Sequence, residues 1–245
     1  MSSYPVHTIE SAPAQSKPVL QQLQQAFGLI PNIAAKMAVS PVLINGFVGL
    51  FERVHASSLT EPQIQTLLLT NAVANASEWP VAFHTALALK EGVQPADVDA
   101  IRHGVLPDDA GLAALSALAR TLIDKRGRLA ESDQKRFLEA GFSVEQILEV
   151  IAVVAASTIT NYTSSVTHPP LEAQFDLPIV DGRLRRASLG GRVGDSAAIL
   201  EDHAALATGL LTLYQMTTEA SWLSAATSLL DRAGSGLRIV LGRAE

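Results

Sequence analysis

One long segment with apolar residues on nearly every helical face constrains the fold of this chain most strongly. It begins at Ser143, where a Ser and the Gln three residues later form a capping-box pattern, and it runs to about Val166, before a His-Pro-Pro sequence. Its middle, 147–159, is mostly apolar. Because such a helix needs cover on several sides, the segment predicts a position at the centre of a bundle or in a subunit interface.

The rest of the first 178 residues contains shorter amphipathic segments that are bounded by helix-start and helix-stop residues. Proline at a first helical position, often after Ser or Thr, marks several starts, and glycine marks several ends. The predicted helices cover about 17–27, 32–39, 41–54, 60–74, 77–91, 95–102, 107–124 and 131–140. No strand pattern is convincing apart from a weak one at 238–241, so the sequence predicts an all-α protein.

The composition excludes several kinds of partner and site. With 24 acidic and 18 basic residues, the net charge is −6, and no basic face is available for nucleic acid or an anionic membrane. The absence of cysteine excludes disulfides and thiol nucleophiles. The histidines show no metal-ligand spacing, so we expect no metal and no cofactor. The N-terminus lacks the features of a signal peptide, and a cytoplasmic location is expected.

Changes in composition divide the chain into four regions. Residues 1–14 are predicted to be an extended leader, and residues 15–178 form the main helical domain. The region 179–196 is rich in glycine and arginine and is predicted to be a linker. Two further helices, about 197–216 and 220–233, predict an αα-hairpin appendage over 197–245.

Four sequence pieces within about residues 15–176 resemble one family in order, spacing and residue type. They are Phe27-Gly-Leu-Ile-Pro-Asn-Ile, Leu59-Thr-Glu-Pro-Gln-Ile-Gln, His84-Thr-Ala-Leu-Ala with Gly92, and Ala140-Gly-Phe-Ser-Val-Glu-Gln-Ile-Leu-Glu followed by Thr160-Asn-Tyr. They resemble the carboxymuconolactone decarboxylase / AhpD-like family of alkylhydroperoxidase-related proteins. The resemblance implies an all-α AhpD-like helical bundle that assembles with copies of itself into trimers or hexamers.

In peroxidase-type members the resemblance implies a Glu, then a Cys-x-x-Cys twelve positions later, then a His. These positions are occupied here by Gln65, Ser77, Pro80 and His84. A serine hydroxyl neither reduces a peroxide nor forms a disulfide, the proline has no reactive side chain, and an amide does not accept a proton as a carboxylate does. Thiol peroxidase activity is therefore not expected.

The decarboxylase branch of the family works without thiols. The resemblance implies that its members often have a motif similar to Glu-Trp/Tyr-x-x-x-His at this point. Glu78, Trp79 and His84 match it loosely, with a longer gap. In this interpretation His84 is a catalytic base and Glu78 its carboxylate partner, and together they move a proton next to a lactone or enol.

A simpler interpretation competes with the catalytic one. A lone histidine on an apolar helix is usually a packed residue, Glu78 suits the N-terminus of a helix, and Trp79 suits a core. Asn161 on the long helix could line the same cavity as His84 or merely pack.

Two functional hypotheses therefore stay open. The chain is a thiol-independent, His-based acid–base enzyme or small-molecule binder, or it is a non-catalytic, oligomeric pseudoenzyme. The environment of His84 distinguishes them, since the first needs an open polar pocket with a nearby carboxylate and the second predicts burial against aromatic side chains.

The last 50 or so residues resemble a different family. The stretch from Leu200 to Thr217, followed by Trp222-Leu, is similar to one helical hairpin of the (α/α)₆ barrel in YyaL-type proteins. One hairpin out of six does not form that barrel's cavity, so we expect no activity from it. It covers an apolar surface of the main domain or extends an oligomer contact, and the alternative is a gene-fusion remnant.

Overall fold

The computed structural model of the chain describes residues 4–172 and parts of the remainder. Between 179 and 193 it describes four two-residue strands, and after them short helical stretches at 206–208, 210–211, 222–223, 226–227 and 229–230. The chain divides into two compact units, Met1–Asp176 and Leu177–Glu245. All the candidate site residues lie in the first unit.

Residues 4–172 form a helical bundle without strands. The helices are α1 (Lys17–Phe27), α2 (Asn32–Met37), α3 (Pro41–His55), α4 (Glu61–Ala74), α5 (Glu78–Lys90), α6 (Pro95–Arg102), α7 (Ala110–Asp124), α8 (Glu131–Glu139) and α9 (Val144–Thr167). The predicted all-α class is confirmed. α7 begins later than predicted because the Asp109 carboxylate caps it, accepting a hydrogen bond from the Leu112 N–H at 2.9 Å.

The predicted capping box at the start of α9 is also confirmed. The Ser143 hydroxyl accepts a hydrogen bond from the Gln146 N–H at 3.2 Å, and the Gln146 side-chain oxygen accepts one from the Ser143 N–H at 2.9 Å. These reciprocal bonds satisfy two N–H groups that the first turn of a helix leaves unpaired. The start of the longest helix is therefore fixed by local sequence.

The central helix of the first unit is α4. Every residue from Ile64 to Ala72 is buried, and α4 packs against α3, α5, α6, α7 and α9. Its buried residues include four polar ones, Gln65, Thr66, Thr70 and Asn71. Because buried polar groups need hydrogen-bond partners, each of these four side chains requires a partner within the bundle.

The long helix α9 lies beside α4 and is covered on only part of its surface. Ile147, Val150 and Val153 are buried in the core that α9 shares with α3, α4 and α7. By length and composition α9 could cross a membrane, and 39% of its most apolar window is buried. Its packing against several helices of the bundle accounts for this composition in a globular protein.

The opposite face of α9 exposes an apolar stripe. Val144, Leu148, Ile151, Tyr162 and Val166 are all exposed, and their spacing places them along one side of the helix. We call these five residues the α9 apolar stripe. The sequence predicted a central helix or an interface helix, and the structure combines a core face with an exposed apolar face.

The second unit contains short strands that the sequence did not predict. β1 (Ile179–Val180) pairs antiparallel with β2 (Arg183–Leu184), and β3 (Ser188–Leu189) pairs antiparallel with β4 (Arg192–Val193). They lie within the region that was predicted to be a linker. Most of the predicted C-terminal hairpin lies outside the described residues.

Candidate functional site

The positions that the family resemblance marks as a site lie where α4 turns into α5. The chain makes this turn through Ala76, whose φ of 49° lies in the left-handed region. Ser77 is then the N-cap residue of α5. Its side chain makes no capping hydrogen bond; its hydroxyl lies 3.4 Å from the Asn161 carbonyl oxygen of α9 instead.

Gln65 of α4 and His84 of α5 are joined by a buried hydrogen bond. The His84 Nδ1 and Gln65 Oε1 atoms are 3.0 Å apart, and the two residues are only 3% and 2% exposed. Because an amide oxygen only accepts, His84 Nδ1 carries the proton and donates it. The structure thus brings together two of the residues that the sequence marked, although they are far apart along the chain.

Burial keeps His84 neutral. Two causes together lower the pKa of His84 to about 3: loss of solvation on burial is the larger, and electrostatic repulsion from the nearby His55 is the smaller. The imidazole is therefore uncharged throughout the physiological pH range. A base with so low a pKa takes up a proton poorly near neutral pH.

Glu78 does not act as the partner of His84 in this structure. It is exposed at the first position of α5, whereas His84 is buried six residues later in the same helix. Six residues along a helix place two side chains on different faces, which explains the separation. The hydrogen-bond partner of His84 among the described residues is the Gln65 amide, and a catalytic role for Glu78 and His84 stays a prediction.

Trp79 and Phe83 pack into the core of the first unit. Their rings stack at 4.7 Å and 18°, and both residues are 5% exposed. The Trp79 Nε1–H donates to the Glu172 carboxylate at 3.0 Å, which satisfies its polar atom. Pro80 is buried in the same first turn of α5. This packing agrees with the simpler interpretation of the aromatic residues.

Asn161 of α9 is fully buried beside the end of α4. Its Nδ2 atom lies 3.2 Å from Ser157 Oγ and 3.4 Å from the main-chain oxygen of Asn71. Its carbonyl oxygen is the atom that Ser77 approaches. The structure therefore brings Ser77 and Asn161 together as contacts between packed elements, and a cavity that Asn161 shares with His84 stays a prediction.

The sequence analysis missed a carboxylate–histidine pair next to this site. His55, the last residue of α3, places Nδ1 at 2.8 and 3.0 Å from the two carboxylate oxygens of Glu61 in the first turn of α4. A signal was present, since histidine at a helix C-terminus and glutamate at a helix N-terminus both suit the helix dipole. Glu61 and Gln65 lie one turn apart on α4, so the two histidines bind neighbouring positions of the same helix.

The described residues do not contain a cluster of three or more His, Asp or Glu side chains that could hold a metal ion. A shallow cleft in the first unit is lined by α8 residues alone, among them Glu131, Gln134 and Lys135. None of the predicted site residues lines it.

Several solved structures resemble the helical bundle. An alkylhydroperoxidase AhpD core, an uncharacterized peroxidase-related protein from Ralstonia eutropha JMP134, matches with a TM-score of 0.64 and 18% identity over 71% of this chain and 94% of that chain. A peroxidase-related protein from Silicibacter sp. TM1040 matches with a TM-score of 0.62 and 17% identity, over 71% and 92% of the two chains. A variant of the debrominase Bmp8 in complex with 2,3,4-tribromopyrrole matches with a TM-score of 0.60 and 19% identity, over 71% and 94%.

These matches define the class of protein as all-α with the fold of the AhpD core. Within that class, this chain is a cysteine-free example that has serine and proline where the resemblance implies two thiols. The predicted AhpD-like resemblance is thus confirmed at the level of the fold. No family model matches the sequence, and no curated protein matches it either.

Proposed function

We propose that this chain is a non-catalytic, self-associating protein with the AhpD-like fold. The observation that carries the proposal is the buried Gln65–His84 pair, in which a neutral histidine is hydrogen-bonded to an amide inside the core. A general base must reach its substrate and must have a pKa near the working pH. His84 is buried and its pKa is lowered to about 3, so it meets neither requirement.

An activity assay tests this proposal. The full-length protein is offered an alkyl hydroperoxide with a thiol reductant, and separately an unsaturated lactone, with the matched variant His84→Gln beside it. We expect rates at background for both proteins with both substrates. A rate in the wild type that His84→Gln removes would overturn the proposal and support the acid–base enzyme.

A small-molecule binder is the second candidate function. The debrominase Bmp8, which shares the fold, has been solved with a small halogenated heteroaromatic compound. The Trp79 and Phe83 rings stack on each other beside His84 and are each only 5% exposed, so this candidate requires the helices around them to separate when the compound binds. Titration with 2,3,4-tribromopyrrole while Trp79 fluorescence is recorded, with Trp222→Phe to isolate that signal, would support this candidate by saturable quenching.

Self-association through the α9 apolar stripe is the second part of the proposal. Leu148 and Val144 are 64% and 65% exposed, and exposed large apolar side chains that share one helix face favour an interaction site. We expect light scattering to show a trimer or hexamer for the wild type and a smaller species for Leu148→Glu. Val42→Glu is the matched control, since Val42 is 87% exposed but lies on α3. A monomeric wild type would overturn this part.

The location and the other partners are also proposals. We propose a cytoplasmic location, and the net charge of −6 supports a protein that binds neither nucleic acid nor anionic membranes. Fractionation of cells that produce the tagged full-length chain, followed by filter binding to labelled DNA and RNA, checks both points.

A further inference from the structure

The residues that directly follow α9 bind to α2 and α5, and we call them the strap (168–172). α9 ends at Thr167, and His168 turns the chain with a φ of 45°. A residue with a side chain rarely adopts this left-handed conformation, so the turn is strained. Pro169 and Pro170 cannot continue a helix, because they lack the N–H group that its hydrogen bonds need. The chain therefore leaves α9 through a strained residue.

Glu172, at the end of the strap, is bonded to the first turns of two helices. Its carboxylate accepts a hydrogen bond from the Asn32 N–H at 2.5 Å and another from the Trp79 Nε1–H at 3.0 Å. α2 begins after Pro31, whose side chain has no polar group that could cap a helix. A carboxylate 140 positions along the chain from Asn32 binds this N–H instead. One side chain therefore links the strap to both α2 and α5.

Two side chains of α2 bind the beginning of the strap. The Lys36 ammonium group donates to the carbonyl oxygens of Thr167 and His168, and Asn32 Nδ2 donates to the Pro170 carbonyl oxygen at 3.0 Å. The positive charge of Lys36 also suits the C-terminal end of α9, where carbonyl groups point outward. These polar contacts of the strap all pass through side chains.

The strap has little support besides these contacts. Leu171 is half-buried and packs against the core cluster that contains Trp79 and Phe83, whereas His168 and Pro170 are exposed. Within the described residues, the main-chain groups of 169–172 make no hydrogen bond to another main-chain group. Segments with few buried apolar contacts open at a lower free-energy cost than the core of a protein.

We propose that the strap is a gate that controls the exposure of Trp79. It detaches from α2 and α5 as one unit, turning about His168, while the helical bundle stays folded. This opening breaks both hydrogen bonds of Glu172 and removes Leu171 from the core cluster. The Gln65–His84 pair, which joins α4 and α5, is unchanged. The inference is independent of the proposed function, since a catalytic and a non-catalytic protein can both have such a strap.

Hydrogen exchange in the full-length wild type, followed by NMR at low urea concentrations, tests whether the strap opens by itself. After correction for intrinsic rates, the Trp79 indole N–H and the Asn32 N–H should give the same opening constant. That constant should depend little on urea, because a local opening exposes little surface. The Leu68 N–H in the core of α4 is the reference, and its exchange should be slower and show the urea dependence of global unfolding. Trp222→Phe identifies the Trp79 indole signal.

Two results of this measurement would overturn the inference. One is a Trp79 or Asn32 N–H whose exchange has the same urea dependence as that of Leu68, since the strap would then open only when the bundle unfolds. The other is a different opening constant for the Trp79 and Asn32 groups, since the strap would then not move as one unit. The measurement uses the wild-type strap, so it does not depend on whether a strap variant folds.

A substitution of Lys36 distinguishes a strap that moves as one unit from a set of separate contacts. In the described part of the chain Lys36 bonds to Thr167 and His168, not to Trp79 or Glu172. Lys36→Met should still raise the exchange rate of the Trp79 indole N–H by about 2–10-fold, the effect of losing one typical hydrogen bond. An unchanged rate would contradict the inference.

Arg120→Met is the matched control for Lys36→Met. Arg120 also donates to two carbonyl oxygens just beyond the end of a helix, those of Gly104 and Val105 after α6. Its substitution should leave the exchange rate of the Trp79 indole N–H unchanged. An equal rise in both variants would show that the rate follows general destabilisation rather than the strap, and would overturn the inference.

Discussion

His55 and His84 bind side chains one turn apart on α4, yet their surroundings give them different chemistry. His55 is partly exposed and bonds to the Glu61 carboxylate at 2.8 Å. His84 is buried and bonds to the Gln65 amide at 3.0 Å. Burial and an uncharged partner both favour the neutral ring of His84. The comparison teaches that the hydrogen-bond partner of a histidine and the solvent exposure of its ring determine its chemistry. Its position in a family pattern determines it less.

The largest expected effect that separates the two histidines is on the pH dependence of stability. The pKa of His84 is lowered in the folded protein, so between about pH 6.5 and 3 the unfolded chain binds a proton that the folded chain excludes. Stability therefore falls as the pH falls through this window. Each factor of ten in proton affinity is worth about 1.4 kcal/mol, so the loss reaches several kcal/mol.

Urea unfolding of wild type and His84→Gln at a series of pH values measures this effect. The variant should lose the part of the slope that His84 contributes, while a buried, non-titrating control on α4, Thr66→Val, should keep it. Equal slopes for wild type and His84→Gln would show that His84 is not held neutral by the fold.

Truncation should also distinguish the two histidines. His84→Ala leaves the buried Gln65 oxygen unpaired and opens a cavity, so we expect it to lower the free energy of unfolding by about 3 kcal/mol. His55→Ala removes a partly exposed pair and should lower it by about 1 kcal/mol or less. Both values come from urea unfolding at pH 7, and similar losses for the two variants would contradict the assigned environments.

A carboxylate at position 65 should make the His84 site resemble the His55 site. Gln65→Glu places an acceptor that can carry negative charge beside the ring, and an opposite charge at this distance raises the pKa of a histidine by about 1–3. The His84 ring signals in an NMR pH titration report the change. Gln65→Leu, which adds no charge, is the control; an unchanged His84 pKa in Gln65→Glu would mean that burial alone sets its value.

The smallest effect is expected for the converse change at the other pair. Glu61→Gln leaves His55 with an amide partner but keeps the hydrogen-bonding geometry, and exposed ion pairs contribute about 0–1 kcal/mol. We expect a change in the free energy of unfolding of less than about 1 kcal/mol. A loss of several kcal/mol would show that the Glu61–His55 pair is more important to the fold than its exposure indicates.

Most helix positions could be predicted from the sequence because their signals are local. The bonds between Ser143 and Gln146 are made within one turn, and Gly28 ends α1 with a φ of 74° that suits glycine. The strands β1–β4 could not be predicted, since two-residue ladders rest on main-chain pairing and leave no alternating pattern of side chains.

The site was predictable only in part because its bonds are tertiary. The sequence marked Gln65 and His84 separately, but their hydrogen bond depends on how α4 packs against α5. The same holds for Ser77: its place at the start of a helix was predicted, but its hydroxyl turns to Asn161 on α9. The His55–Glu61 pair escaped prediction because it depends on how the chain turns between α3 and α4.

The central claim is that His84 is a buried, neutral core residue. An NMR pH titration of the wild-type histidine ring signals tests this claim most directly. The structure predicts that His84 stays neutral, with the proton on Nδ1, from pH 8 down to the onset of acid unfolding, in agreement with a pKa lowered to about 3. A His84 signal that titrates between pH 6 and 7 would contradict the claim and would restore His84 as a candidate acid–base catalyst.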